Sequence, residues 1–415
     1  MIMSKHKLAL DNSQVPEGYK KTEVGVIPED WEVKKLLDVV DYVDYRGKTP
    51  PKQESGIFLV TAKNIREGFI DYESSQEYVS EVEYDKIMRR GKPKIGDVII
   101  TTEAPLGNVA TVDNESIALA QRVIKYRARD QKLNHEYLKY YLLSNKFQKI
   151  LLDNSSGTTA QGIKGSILHT LPIIIATPTE QRAIAQTLSD VDGLIAALDR
   201  AIAKKRNIKT ATMQELLTGK KRLPGFNEEW QVKRLGDIAN ITMGQSPSSQ
   251  YYNSKEIGLP LIQGNADIKN RRAVIRNYTS EVTKKCYYGD IILSVRAPVG
   301  EVAKTNFDAC IGRGVSAISY PNDFLYHYLI FRESRWSKLS KGSTFDSINS
   351  TEIKSLEIKL PVDLKEQSAI ASILSDIDAE IAALEKRRAK TKAMKQGIMQ
   401  ELLTGKTRLI VDNNP

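Results

Sequence analysis

The sequence predicts an α+β protein in which two mixed α/β globular units alternate with two long helices. Three observations predict it. A 44-residue segment occurs twice without a gap. The stretches ahead of the two copies also match, but their spacing drifts. Inside those stretches, short β-branched runs are broken by Gly, Pro and Asn, the punctuation of strands and turns.

Residues 1–30 read as a loosely held lead-in, with Pro16, Gly18, Gly25 and Pro28. The first unit opens at Trp31-Glu-Val-Lys-Lys-Leu and the second at Trp230-Gln-Val-Lys-Arg-Leu. Ile95-Gly-Asp-Val-Ile-Ile…Ala-Pro-Leu-Gly is answered by Tyr288-Gly-Asp-Ile-Ile-Leu…Ala-Pro-Val-Gly. The offset falls from 199 at the tryptophans to 193 at Gly-Asp and 185 at the turns Gly157-Thr158 and Gly342-Ser343, so the units differ by insertions and deletions. Val98–Thr102, Ile291–Val295 and Ile173–Ala176 are expected strands. Tyr137–Leu152 and Phe324–Leu339 are expected amphipathic helices. The Gly-Asp and Ala-Pro-x-Gly pairs read as strand entries and tight turns, and Trp31 and Trp230 as core.

The repeated segment is Glu180–Leu223 and Glu366–Leu409, at a constant offset of 186, with 26 of 44 positions identical. Apolar residues recur at Ile184, Leu188, Val191, Ile195, Leu198 and Ile202, and again at Ile370, Leu374, Ile377, Ile381 and Leu384. That alternating four-three spacing is a coiled-coil seam. Thr179 is the expected N-cap, and Gly219 and Gly405 stand where helices close. About 38 helical residues make a rod of roughly 57 Å. One such helix cannot bury its stripe alone, but two can bury it against each other. The chain therefore divides into residues 1–178, 179–222, 223–364 and 365–415.

A chain of 415 residues is too long for one core. No apolar run approaches the ~20 residues that span a bilayer, so no membrane is expected. The first residues lack a signal-peptide core. Only Cys286 and Cys310 are present, which fits a reducing, cytoplasmic location. His6, His135, His169 and His327 are scattered without ligand-like spacing, so no metal site is expected. The net charge of +10 is concentrated. Asp199–Arg222 and Glu385–Arg408 each hold eight Lys/Arg against two acidic residues, which leaves the rest of the chain slightly acidic. A polyanion could lie along these segments, or the charge could be a solvated helix face.

No catalytic set assembles. Gly405-Lys406-Thr407 mimics the end of a phosphate-binding loop, but Gln400 stands where that motif needs Gly. Thr49-Pro50-Pro51 is followed by Lys52, so it is not an amino-methyltransferase tetrad. Glu29, Asp30 and Glu32 lie too close together for a strand-separated nuclease pair. What remains are polar loops at matched positions. The first unit offers Arg46, Lys48, Thr49, Lys63, Asn64, Arg66, Arg122, Thr158 and Gln161. The second offers Gln245, Ser246, Gln263, Asn265, Arg296, Arg313, Ser343 and Thr344. Arg, Lys, Asn and Gln pair with base edges, and Gly and Ser/Thr approach phosphates. Singly, each loop is ordinary. Their recurrence in both units marks them as candidate DNA-binding residues.

The paired Trp-x-Val-Lys-x-Leu openings, the Gly-Asp…Ala-Pro-x-Gly strands, the Leu-Pro…Glu-Gln-x-Ala-Ile helix entries and the twin Met-Gln-Glu-Leu-Leu-Thr-Gly-Lys ends cover nearly the whole chain. In combination they resemble the specificity subunits of Type I restriction–modification enzymes. The resemblance implies two target-recognition domains, each reading half of a split sequence in double-stranded DNA. It also implies two conserved helices packed as an antiparallel coiled coil about a pseudo-twofold axis. Two methyltransferase subunits would dock on that frame and restriction/motor subunits would join. The chain itself is expected to be no enzyme and to bind no cofactor, with S-adenosylmethionine, ATP and Mg used by the partners. The alternatives are a methyltransferase or nuclease carrying its own recognition domains, and a coiled-coil docking scaffold.

Overall fold

The computed structural model describes residues 15–45, 50–130, 132–157, 161–339 and 347–409, with only the backbone for 334–339. The chain forms two compact units, Met1–Ala197 with Arg388–Pro415, and Leu198–Arg387. Packing thus groups the chain differently from the four-segment division. Each long helix gives one part to each unit.

In the first unit a four-stranded antiparallel sheet runs in the order Val40–Asp44, Val123–Ala128, Val98–Thr102, Leu106–Thr111. A smaller sheet pairs Ile57–Val60 antiparallel with Tyr78–Val79 and parallel with Ile117–Leu119. Successive side chains of a strand face opposite ways. Val98 and Ile100 therefore pack with the helices, while Ile99 packs with the smaller sheet. The expected helix over 137–152 is two helices, His135–Leu143 and Asn145–Asp153. They break at Ser144, whose hydroxyl caps the second by accepting from Phe147 N.

The second unit repeats the plan with more strands. Its six-stranded sheet runs Asn240–Met243, Val315–Ser319, Ile291–Ser294, Val302–Lys304, Arg272–Ala273, Ile268–Lys269. Its five-stranded sheet holds Leu259–Ile262 parallel to Ala309–Ile311, as the first unit holds Ile57–Val60 parallel to Ile117–Leu119. Ile291 and Leu293 face Phe324, Leu325 and Leu329 of the helix Phe324–Leu339, and Ile292 faces the second sheet.

The long helices are Pro178–Leu216 and Leu364–Leu402. The first begins one residue before the expected cap. Thr177 fills that role in place of Thr179: its hydroxyl accepts from Glu180 N and donates to Glu180 Oε2. Gly219 and Gly405 both stand at φ +72°, as helix-closing residues should. In the first unit Ile184, Ala185 and Leu188 share a core with Met399, Leu402 and Leu403. In the second, the counterparts Ile370, Ala371 and Leu374 share one with Met213, Leu216 and Leu217. Val191, Ile195, Ile377 and Leu384 are only half-buried.

The second half of the lead-in is not loose. Tyr19–Thr22 and Gly25–Pro28 form a hairpin with Ile27 buried, and Tyr19 Oη donates to Gly405 O at 2.9 Å. Residues 1–14 lie outside the described residues. Trp31 is fully buried, as expected, whereas Trp230 is half-buried. Among the described residues no helix is long and apolar enough to cross a membrane.

Candidate nucleic-acid interface

In the second unit, four loops meet at the ends of the strands Asn240–Met243, Leu259–Ile262, Ile291–Ser294 and Val315–Ser319. They approach backbone to backbone. A Cβ on Gly244 would lie 2.1 Å from Gly312 O, and one on Gly314 would lie 2.2 Å from Gln263 O, so only glycine fits at either place. Gly244 N donates to Val315 O and Gly312 N to Ile262 O. The buried Asp267 carboxylate accepts from Gln263 N at 2.7 Å and Gly264 N at 3.3 Å, which fixes the turn carrying Gln263 and Asn265. Ser246 Oγ accepts from Arg313 N at 3.1 Å.

These contacts enclose a cleft of about 510 Å³. Ser246, Gln263, Asn265, Arg296 and Arg313 all line it, so five of the eight residues singled out in this unit converge. Gln263 Nε2 donates to Tyr252 Oη at 2.7 Å, and that hydroxyl donates to Pro247 O at 3.0 Å. Asn265 Oδ1 is buried with no hydrogen-bond partner among the described residues. Arg296 and Arg313 are exposed, and no carboxylate pairs with either among the described residues. Gln245 is exposed in the same loop but does not line the cleft. Ser343 and Thr344 lie outside the described residues. Sequence reasoning missed Pro247, Ser249, Tyr252 and Ala297, which also line the cleft. The signal for Tyr252 was an aromatic pair inside a polar loop, Ser248-Ser-Gln-Tyr-Tyr252.

The first unit builds its loops by the same rule with different side chains. Asn64 is fully buried, and its amide is wholly engaged. Oδ1 accepts from Thr61 N and Oγ1, and Nδ2 donates to Asp71 O and Ser75 O. It does the bracing that Asp267 does in the second unit, and it is not available to a base. Lys63 and Arg66 flank it and are exposed, Arg66 pairing with Asp71 at 3.3 Å. Arg122 has φ +71° and pairs with Glu103 at 3.3 Å. Gln161 is exposed beside the bridge between Ser156 and Gly162. Arg46, Lys48, Thr49 and Thr158 lie outside the described residues. A hollow of about 410 Å³ in this unit is lined by Tyr42, Val43, Asp44, Arg90, Ser166 and His169, none of them singled out from the sequence.

Part of the helix charge has partners within its own unit. Lys209 Nζ reaches Asp378 at 2.6 and 2.8 Å, Arg206 reaches Glu385 at 2.5 Å, and Lys205 pairs with Glu380. In the first unit Lys395 reaches Asp192 at 2.6 Å.

The model of the type I restriction modification DNA specificity domain matches residues 28–205 and 227–392. The chain is 32% identical over 417 residues to the putative type I restriction enzyme MjaX specificity subunit of Methanocaldococcus jannaschii, covering 95% of this chain and 97% of that one. The chain belongs to the type I restriction–modification specificity subunits. A second such subunit of the same organism, MjaIX, is 26% identical over 94% of this chain and 96% of its own. A structure described as underlying complex assembly and conformational transition of the type I R-M system is 25% identical. It covers 92% of this specificity subunit and 99% of its own chain, with a TM-score of 0.57. The S subunit from M. genitalium, 16% identical, shares the fold over 90% of this chain and 96% of its own, with a TM-score of 0.61. The two matched spans make this a specificity subunit with two DNA specificity domains.

Proposed function

We propose that this specificity subunit is the non-catalytic DNA-reading component of a type I restriction–modification complex. Each globular unit reads one half of a bipartite, asymmetric site. The observation that carries this reading is the convergence of Ser246, Gln263, Asn265, Arg296 and Arg313 on one cleft. These are side chains that discriminate base edges, held on loops that glycine packing makes rigid. The first unit brings Lys63, Arg66, Arg122 and Gln161 on loops braced the same way. Unlike side chains on a shared plan read unlike half-sites.

Residues 1–178 and 223–364 act as target-recognition domains, and 179–222 with 365–415 as the frame between them. The two helices, packed as an antiparallel coiled coil about a pseudo-twofold axis, are a ruler. At 39 residues each they are ~58 Å long. That exceeds the ~34–36 Å between half-sites one helical turn apart. Two methyltransferase subunits dock on this frame and restriction/motor subunits join them. S-adenosylmethionine, ATP and Mg are used in those partners, in the cytoplasm. The test is to replace residues 31–178 with the equivalent unit of another family member and map methylated motifs in cells. One half of the motif should change and the other stay. An unchanged motif would refute the reading, as would methyl transfer to DNA by the purified chain alone.

A further inference from the structure

The geometry points to Arg296 and Glu103 as a matched pair of specificity determinants with opposite hydrogen-bonding sense. Arg296 selects a guanine in one half-site, and Glu103 selects the exocyclic amine of a cytosine in the other. The inference rests on the reading that each unit reads one half-site.

The two residues hold the same place in the two units. In the second, Val295 N donates to Gly314 O and Ile348 N donates to Val295 O, and Arg296 then bridges Ser347. In the first, Thr102 N donates to Arg122 O and Ile163 N donates to Thr102 O, and Glu103 then bridges Gly162. An Ala-Pro pair follows each, Ala297-Pro298 and Ala104-Pro105. At this shared position a cation stands in one unit and an anion in the other.

The chemistry follows from what each side chain can offer. A guanidinium only donates and a carboxylate only accepts. The major-groove edge of guanine shows two acceptors, N7 and O6, and that of cytosine shows a donor, N4. Arg296 lines the cleft with Arg313, and neither has a carboxylate partner among the described residues. The cleft also holds the buried acceptor Asn265 Oδ1, which has no donor among the described residues. A cleft with two guanidinium donors and one unsatisfied acceptor suits the edge of a G·C pair, whose guanine N7 and O6 accept and whose cytosine N4 donates, better than a phosphate, which only accepts. In the first unit the Glu103 carboxylate is 41% exposed and touches Arg122 at 3.3 Å, leaving acceptor capacity beside a donor.

The experiment uses the full chain assembled with its methyltransferase partners, with methylated motifs mapped on a random-sequence DNA library. Gln pairs bidentately with adenine. Arg296→Gln should therefore change guanine to adenine at one position of one half-site, by roughly 10- to 100-fold in preference. Glu103→Arg should change cytosine to guanine at one position of the other half. Arg296→Lys should keep the guanine with weaker discrimination, which guards against a Gln variant that fails to assemble. Motifs unchanged in all three overturn the inference. So does a loss that is uniform across sequences in an intact complex, because that assigns the residue to phosphate. Exchange of the whole second unit separates the two levels. If the exchange alters a half-site but Arg296→Gln does not, only the residue assignment fails. If the exchange alters nothing, the half-site reading fails with it.

Discussion

Arg408 grips Glu180 with two edges of its guanidinium, Nε to Oε1 at 2.5 Å and Nη2 to Oε2 at 2.9 Å, across 228 residues of chain. Trp31 Nε1 donates to the same carboxylate at 2.8 Å, and Asp30 receives Arg408 Nη1 and Nη2 at 2.9 and 2.8 Å. In the second unit Arg222 grips Glu366 at 2.7 and 2.8 Å under Trp230. Both glutamates are buried. Removing the arginine leaves a buried carboxylate without its counter-charge, the expensive way to break such a pair. Arg408→Ala should destabilise the first unit by ~2–4 kcal/mol, reduced from the fully buried case because Arg408 itself is part-exposed. Arg222→Ala should do the same to the second. Hydrogen exchange at residues 178–190 and 364–376 checks which unit loosens, and equal loosening of both by either variant would contradict the expectation.

Gly219 and Gly405 share φ +72° but not their surroundings. A Cβ at Gly219 would meet the Trp230 ring at 3.3 Å, whereas one at Gly405 would meet Pro28 Cδ at 2.4 Å and Cγ at 2.6 Å. A proline ring cannot swing aside. Gly219→Ala should cost ~1–2 kcal/mol, the backbone penalty alone. Gly405→Ala should cost ~3 kcal/mol or more, because overpacking adds to it. Denaturant titration of the two variants decides, and equal losses would show that Pro28 yields.

His327 is buried in the second unit, Nε2 against Ser375 Oγ at 3.0 Å and Nδ1 without a partner among the described residues. Burial first, then Lys209, pushes its pKa down to about 4, against the pull of Asp378 and Asp323. The folded protein thus holds the ring neutral where the unfolded chain would protonate it. The contribution is fully present above about pH 6.5 and is lost as pH falls toward about 4. The loss totals ~3 kcal/mol at most. Unfolding free energies at pH 7 and pH 4.5, wild type minus His327→Asn, should show it, and a pH-independent difference would contradict it.

DNA binding by the isolated chain should be weak. Lys205, Arg206, Lys209, Arg222, Lys395 and Arg408 are all paired with carboxylates inside their own units. Fewer free cations means fewer counterions released and a shallow salt slope. Nanomolar sequence-specific binding by the purified chain at physiological salt would refute this. In the assembled complex Arg313→Ala should lose ~1–3 kcal/mol at one base of one half-site, and Arg46→Ala should do so in the other half.

Local pattern carried much of the fold. Ile184, Leu188, Leu198 and Ile202 announced a buried stripe by spacing alone, and the β-branched run at Val98–Thr102 announced a strand. What stayed hidden depended on partners far along the chain. Asn64 reads as a base-contacting amide because the carbonyls of Asp71 and Ser75 that occupy it have no sequence signature. The hairpin at 19–28 reads as loose because its anchor, Gly405, lies 386 residues from Tyr19. The basic helix segments read equally as a polyanion surface or a solvated face, because Asp378 and Glu385 meet them only after folding. In the cleft, residue types were legible but convergence was not. Gln263 and Arg313 are 50 positions apart, and nothing in their spacing tells that both face Tyr252 and Asn265.

The first unit is made of the two ends of the chain, and its core closes only with Met399, Leu402 and Leu403 in place. The second unit is one uninterrupted stretch. Translation proceeds from the N-terminus at roughly 5–20 residues per second. The half that leaves the ribosome first is therefore the last that can be finished. For the ~10–40 seconds that the ribosome takes over the intervening two hundred residues, Leu188 and Trp31 wait for partners not yet synthesised. A nascent chain arrested before Leu403 would hold a complete second unit and an open first one.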